Sequence, residues 1–192
     1  FNERFAPRAF PPLVDVLSEM GDRRIIKPAL QRMATFKSPA IRLQLLNSVC
    51  RALGAKGQFY ELLSQDPDRR ASTISRRFRR TGNALAQNRA LDSEVREDLR
   101  ATFARLVQAY ESDNSDWVSE AVQQIAGIVR DGLSATGRPA YEVLAVFVVI
   151  LALNDFLQSP VRHELPDAQE IFLAVCLQRL AKAIEELEVQ EE

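Results

Sequence analysis

From Val143 to Leu153 the chain is apolar at every position, within the stretch Tyr141–Leu157, YEVLAVFVVILALNDFL. A helix that is apolar on all sides has no face to give to water, so it belongs at the centre of a helical protein or in a membrane. Eleven residues are too few to cross hydrocarbon, where about 20 are needed. Glu142, Asn154 and Asp155 close the run at its two ends. Val146, Val148, Val149 and Ile150 would also suit a buried strand. The flanking segments read with helical period, and a lone strand would have no partner. The run is therefore expected to be a buried, central helix.

The rest of the chain supports an all-α fold. Seven glycines in 192 residues, with no alternating segment elsewhere, leave little room for a sheet. Phe1, Phe5 and Phe10 lead through Pro11 and Pro12 into a helix over Pro12–Met20, ended by Gly21. Asp22 is a candidate cap for a second helix, Arg23–Phe36, with Ile26, Leu30 and Met33 inward and Pro28 near its first turn. Ser38 and Pro39 start a third, Pro39–Leu53, whose stripe is Ile41, Leu45, Val49 and Leu53; Gly54 stops it.

The pair Ile26–Gly54, IKPALQRMATFKSPAIRLQLLNSVCRALG, resembles a HEAT repeat. The resemblance is carried by the Pro-x-Leu start, the Ser-Pro-x-Ile-Arg turn and the Ala-Leu-Gly ending. It covers residues 26–54 and implies antiparallel helix pairs stacked on neighbours, with protein–protein contact or scaffolding as the job. In such repeats the arginine at the place of Arg42 reaches an acid in the inter-helix turn; here Lys37 and Ser38 stand where an Asp is usual. Gln44, Ser48 and Arg51, on the polar side of the second helix, read either as the recognition face that the resemblance implies or as an ordinary solvated face.

Further helices are expected over Lys56–Ser64, Asp68–Gln87, Ser93–Tyr110, Asp116–Leu133, the central run and Pro166–Val189. Gly82 is expected to kink or interrupt the arginine-rich helix. The boundary falls near Gly82–Asp92, dividing a HEAT-like segment over residues 1–82 from a helical bundle over 92–192. The expected architecture is thus HEAT-like helix pairs followed by a four-helix bundle around the apolar helix.

Charge is distributed unevenly. Between Arg69 and Arg89 there are seven Arg and no acid, whereas from Glu164 onward eight acids face only Arg179 and Lys182. Arg69, Arg70, Arg76, Arg77, Arg79 and Arg80 fall in three pairs at helical spacing, a ridge suited to nucleic acid or anionic lipid. The reading preferred is an intramolecular clasp, with the ridge pairing to the acidic last helix or to Asp66 and Asp68. Phe78 is the one aromatic in the ridge and sits on its apolar side, which disfavours base stacking.

No catalytic constellation is legible. His163 has no Cys or acid at ligand spacing around it, and is read as a surface loop residue; a zinc site wants three or four ligands. No Gly-rich phosphate loop, nucleophile elbow or HExxH motif occurs. The carboxylate pairs Glu94/Asp98 and Glu185/Glu188 read as solvated surface, Trp117 as core, and Cys50 and Cys176 as small buried hydrophobes. The chain opens at Phe1 and is expected to be a piece of something longer. Its 46% apolar and 27% charged residues describe a globular chain rather than a disordered one, and no signal-peptide pattern is present.

These observations lead us to expect a cytoplasmic, non-enzymatic interaction or regulatory domain without catalytic residue, cofactor or metal. Its partner would be another protein or another domain of the same chain, with self-association through the N-terminal end as an option. The alternatives are anion binding through Arg69–Arg80, or an apolar small molecule held in the bundle beside Val143–Leu153.

Overall fold

Helix boundaries fall where proline, glycine and capping acids put them. The computed structural model describes residues 9–33, 35–55, 57–135, 140–158 and 166–188, and every regular element among them is helical. Helix α1 spans Phe10–Glu19 with Pro11 and Pro12 in its first turn. Asp22 then accepts a hydrogen bond from the Arg24 N–H at 3.0 Å. The second helix differs from expectation: a 3₁₀ turn over Arg23–Ile25 precedes a shorter α2, Ile26–Met33. Pro28 explains the change. As the third residue of α2 its missing N–H is one no helix would use, whereas further into a longer helix it would leave a carbonyl without its donor.

Helix α3 is Pro39–Ala52, preceded by Ser38 in extended conformation with no side-chain cap bond. The short α4 is Gln58–Leu63. Helix α5, Pro67–Gln87, begins with Pro67 and with Asp66 accepting from the Arg69 N–H at 3.0 Å. It runs unbroken through Gly82, whose lack of a side chain lets α6 approach. Helices α6 (Ser93–Glu111), α7 (Ser115–Ala135), α8 (Ala140–Gln158) and α9 (Pro166–Glu188) complete the described chain.

The later helices close a ring: α5 packs on α6, α6 on α7, α7 on α8, α8 on α9, and α9 back on α5. The earlier ones cover it from one side. Helix α3 lies between α1 and α2, α2 also reaches α8, and α3 and α4 both reach α9. Aromatic pairs mark two of these contacts, Phe78 with Tyr110 across α5/α6 and Phe156 with Phe172 across α8/α9, with ring centroids 5.4 and 4.5 Å apart.

The position of the central helix is the main correction to the expectation from sequence. Helix α9 holds it: Ile171 to Leu177 are buried at seven successive positions, followed by Leu180, Ala181, Ala183 and Ile184. Helix α8 is buried on one side only, through Val146, Val149, Ile150 and Leu153. On the other, Leu144 is 60% and Phe147 38% exposed, and Val148 and Leu151 are partly so. The difference comes from neighbours: α9 has helices on several sides (α3, α4, α5, α8), while α8 touches α2, α7 and α9.

Cys50 of α3 and Cys176 of α9 are both free and fully buried, and burial raises each thiol well above its ordinary value. The thiolate is the reactive form. In a disulfide-exchange assay the native protein is therefore expected to react at neither thiol, and the unfolded protein at both. Rapid labelling of the native protein would contradict the packing of α3 on α9.

Candidate functional site

The arginine-rich face of α5 was the strongest functional signal in the sequence, and its six arginines have different environments. Arg70 is buried, and its Nη1 donates to the Leu63 carbonyl at 3.2 Å. Arg77 is partly buried and its Nη1 donates to Gln178 Oε1 of α9 at 3.3 Å. Arg79 meets Glu111 at the end of α6 at 2.5 Å, and Ser75 donates to the same carboxylate at 2.6 Å. Arg69, Arg76 and Arg80 are exposed. Among the described residues, Arg76 and Arg80 have no ion-pair partner.

The contacts of an internal clasp thus run to other groups than sequence suggested. The carboxylate that meets Arg79 is on α6, and the α9 group that meets Arg77 is a neutral amide. Asp66 serves the backbone of Arg69 rather than a guanidinium. Burial lowers the basicity of Arg77, Glu61 opposes this, and Arg76 adds to it. Arg70 and Arg77 are placed to hold α5 against its neighbours, which leaves Arg69, Arg76 and Arg80 as the outward cations of this ridge.

Gln44, Ser48 and Arg51 share one side of α3, and α1 occupies it. Gln44 Nε2 donates to Asp15 Oδ2 at 2.5 Å, and the buried Ser48 hydroxyl donates to Asp15 Oδ1. Arg51 pairs with Glu19 at 3.3 Å. Asp15 and Glu19 are one turn apart, as are Gln44 and Ser48, so the two polar rows match along the α1/α3 contact.

Trp117, expected in the core, is 58% exposed. Its backbone N–H is capped by Asn114 Oδ1 at 3.1 Å, and the residue lines a groove of about 280 Å³ between α6 and α7 with Arg105, Gln108, Glu120 and Gln124. Another cleft of about 160 Å³ reaches α8 at Phe156 and Leu157, past the end of the apolar run. His163 lies outside the described residues. Among those described, no three His, Cys, Asp or Glu side chains converge as a metal site would require, and no helix is long and apolar enough to cross a membrane.

Near the end of α8, Asp155 has one buried carboxylate oxygen with no hydrogen-bond partner among the described residues. Burial raises its pKa, and Lys27 partly offsets this. A carboxyl raised in the folded state is protonated more readily there than in the unfolded chain. It therefore favours folding at low pH and ceases to as pH rises through the folded pKa. Asp155→Asn is expected to be at least as stable as wild type at pH 7, with its advantage vanishing as pH falls below the ordinary carboxyl range. Equal dependence on pH in both proteins, by denaturant titration, would contradict this.

What these features define is an all-α protein in which a partly engaged arginine helix and an outward apolar helix face lie on one connected helical core. Compared with known proteins, the chain matches no family model, no curated protein and no solved structure.

Proposed function

We propose that the chain is a non-enzymatic protein-interaction domain, built of HEAT-like helix pairs on a helical bundle, that works as a pair through the outer face of α8. The observation carrying this reading is the apolar row Leu144, Phe147, Val148 and Leu151 at one-turn spacing, in which Leu144 and Phe147 are exposed and Val148 and Leu151 are partly so. Leaving such a row in water is costly, at about 25 cal/mol for each Å² uncovered. The run Val143–Leu153 contains no charge. Two copies crossing there would bury no ion and meet no like-charge repulsion. A two-fold axis lets one row serve as both halves of the contact. The two buried, unpaired cysteines suit a reducing compartment such as the cytoplasm.

Sedimentation over a range of protein concentrations tests the proposal. The wild type should form a dimer, and Leu144→Glu with Phe147→Glu should be a monomer with unchanged helix content. Met20, 75% exposed just after α1, serves as the control for contact through the N-terminal end: Met20→Glu should leave the dimer intact. A wild type that stays monomeric, or a dimer broken by Met20→Glu alone, overturns the assignment to α8.

A further inference from the structure

A cleft of about 350 Å³ opens where the end of α3 and the start of α4 meet α5 and α9. Its polar lining comprises Gln58 from α4, Arg80 and Thr81 from α5, and Gln178, Arg179, Lys182 and Glu185 from α9. Three cations therefore face one acid.

Arg179 is the unusual member. Its Nε is buried without a hydrogen-bond partner among the described residues. Native structures satisfy nearly all such donors; Arg96 Nε is buried in the same way, but the Arg179 side chain lines a cleft, where an acceptor can be supplied. The guanidinium lies against Gly54, where an added Cβ would come within 3.5 Å of Cζ. The C-terminal end of α3 offers it partial negative charge. Burial nevertheless lowers its basicity, Arg23 acts in the same direction, and Glu186 opposes both. Gln178 spends its amide oxygen on Arg77 at 3.3 Å, leaving its NH₂ group to donate. Donors therefore outnumber acceptors in the lining, where the Glu185 carboxylate and the Gln58 amide oxygen are the main acceptors.

We propose that this cleft binds a phosphate group, free or as the monoester of a small molecule. The planar fork of Arg179 matches two phosphate oxygens. Lys182 and Arg80 supply charge from either wall, and Gln178 and Thr81 supply neutral donors. The volume lies at the small end of the range for ligand clefts. This site is separate from the α8 face and does not depend on it.

The test is titration of the full chain with inorganic phosphate and with glycerol phosphate, against potassium chloride at equal ionic strength. Amide and arginine Nε–H resonances are followed by NMR. Saturable shifts are expected at Arg179 Nε and around residues 80–81 and 178–182. Binding should weaken by about tenfold or more in Arg179→Gln, the loss implied by one charged hydrogen bond. Arg80→Gln combined with Lys182→Gln alters only exposed side chains and should weaken it likewise, which keeps the test decisive if Arg179→Gln does not fold. Arg69 lies eleven residues from Arg80 along α5, about 16 Å away, and Arg69→Gln should change nothing. Shifts that match those from chloride, or equal weakening by Arg69→Gln, would show diffuse attraction to the ridge and overturn the site.

Discussion

Phe172→Ala is expected to destabilise the protein by about 3–5 kcal/mol, the usual cost of truncating a buried aromatic. Phe172 is fully buried in the stretch of α9 that is enclosed on all sides, and its ring meets Phe156 of α8 at 4.5 Å. Removing it opens a cavity where α8 and α9 meet, and neither ring partner nor backbone can fill the space without moving a helix. Phe147→Ala removes the same atoms from α8, where the residue is 38% exposed. At protein concentrations too low for α8 to pair, its effect should stay within about 0.5 kcal/mol, as for surface changes generally. Denaturant titration of the two variants decides which helix is central. A large loss from Phe147→Ala with a small one from Phe172→Ala would return α8 to the middle.

That contrast also shows which properties a sequence carries locally. Helix ends were legible because their causes sit within a few residues: Gly21 after α1, Pro39 at the start of α3, and Asp66-Pro67 at the start of α5. The second helix departs from this, splitting at Pro28 into a 3₁₀ turn and an α2 that ends at Met33 rather than Phe36, and α5 continues through Gly82. Burial is different, because it depends on how many neighbours a helix acquires. The run Val143–Leu153 is longer than Ile171–Leu177, yet the shorter run is enclosed by more helices. Hydropathy ranks the two in the wrong order.

The charged residues repeat the lesson. Charge balance pointed from the α5 arginines to the acidic α9, but the antiparallel course of α6 brings Glu111 to Arg79 and Ser75 instead. The match of Gln44 and Ser48 with Asp15 depends on the rotation of α1 about its own axis, which no local pattern records. In the sequence Arg179 is one of two cations, with Lys182, among the acids of the last helix. Its buried Nε, without a partner among the described residues, follows from the place where α3 ends.

Gly82→Ala and Gly127→Ala are expected to change stability in opposite directions. Both glycines lie inside helices, where alanine is intrinsically better by about 1 kcal/mol. At Gly127 in α7 an added Cβ meets nothing within 4 Å, so the gain should be realised. At Gly82 in α5 the same atom would lie 2.6 Å from Phe103 Cβ and 2.8 Å from Cγ. Rotating the ring cannot relieve an overlap with Cβ, because that atom is fixed to the backbone of α6. The helices α5 and α6 would have to separate, and overfilling of this kind costs about 1–3 kcal/mol, occasionally more. Set against the intrinsic gain, Gly82→Ala should lose up to about 2 kcal/mol, since the overlap is with atoms that cannot swing away. Gly82→Leu should lose more, since its added atoms meet the same wall. Thermal and denaturant unfolding of the three variants measure both signs. A stabilising Gly82→Ala would mean that α5 and α6 do not approach as closely as Gly82 permits, and that the ring of helices is looser on this side.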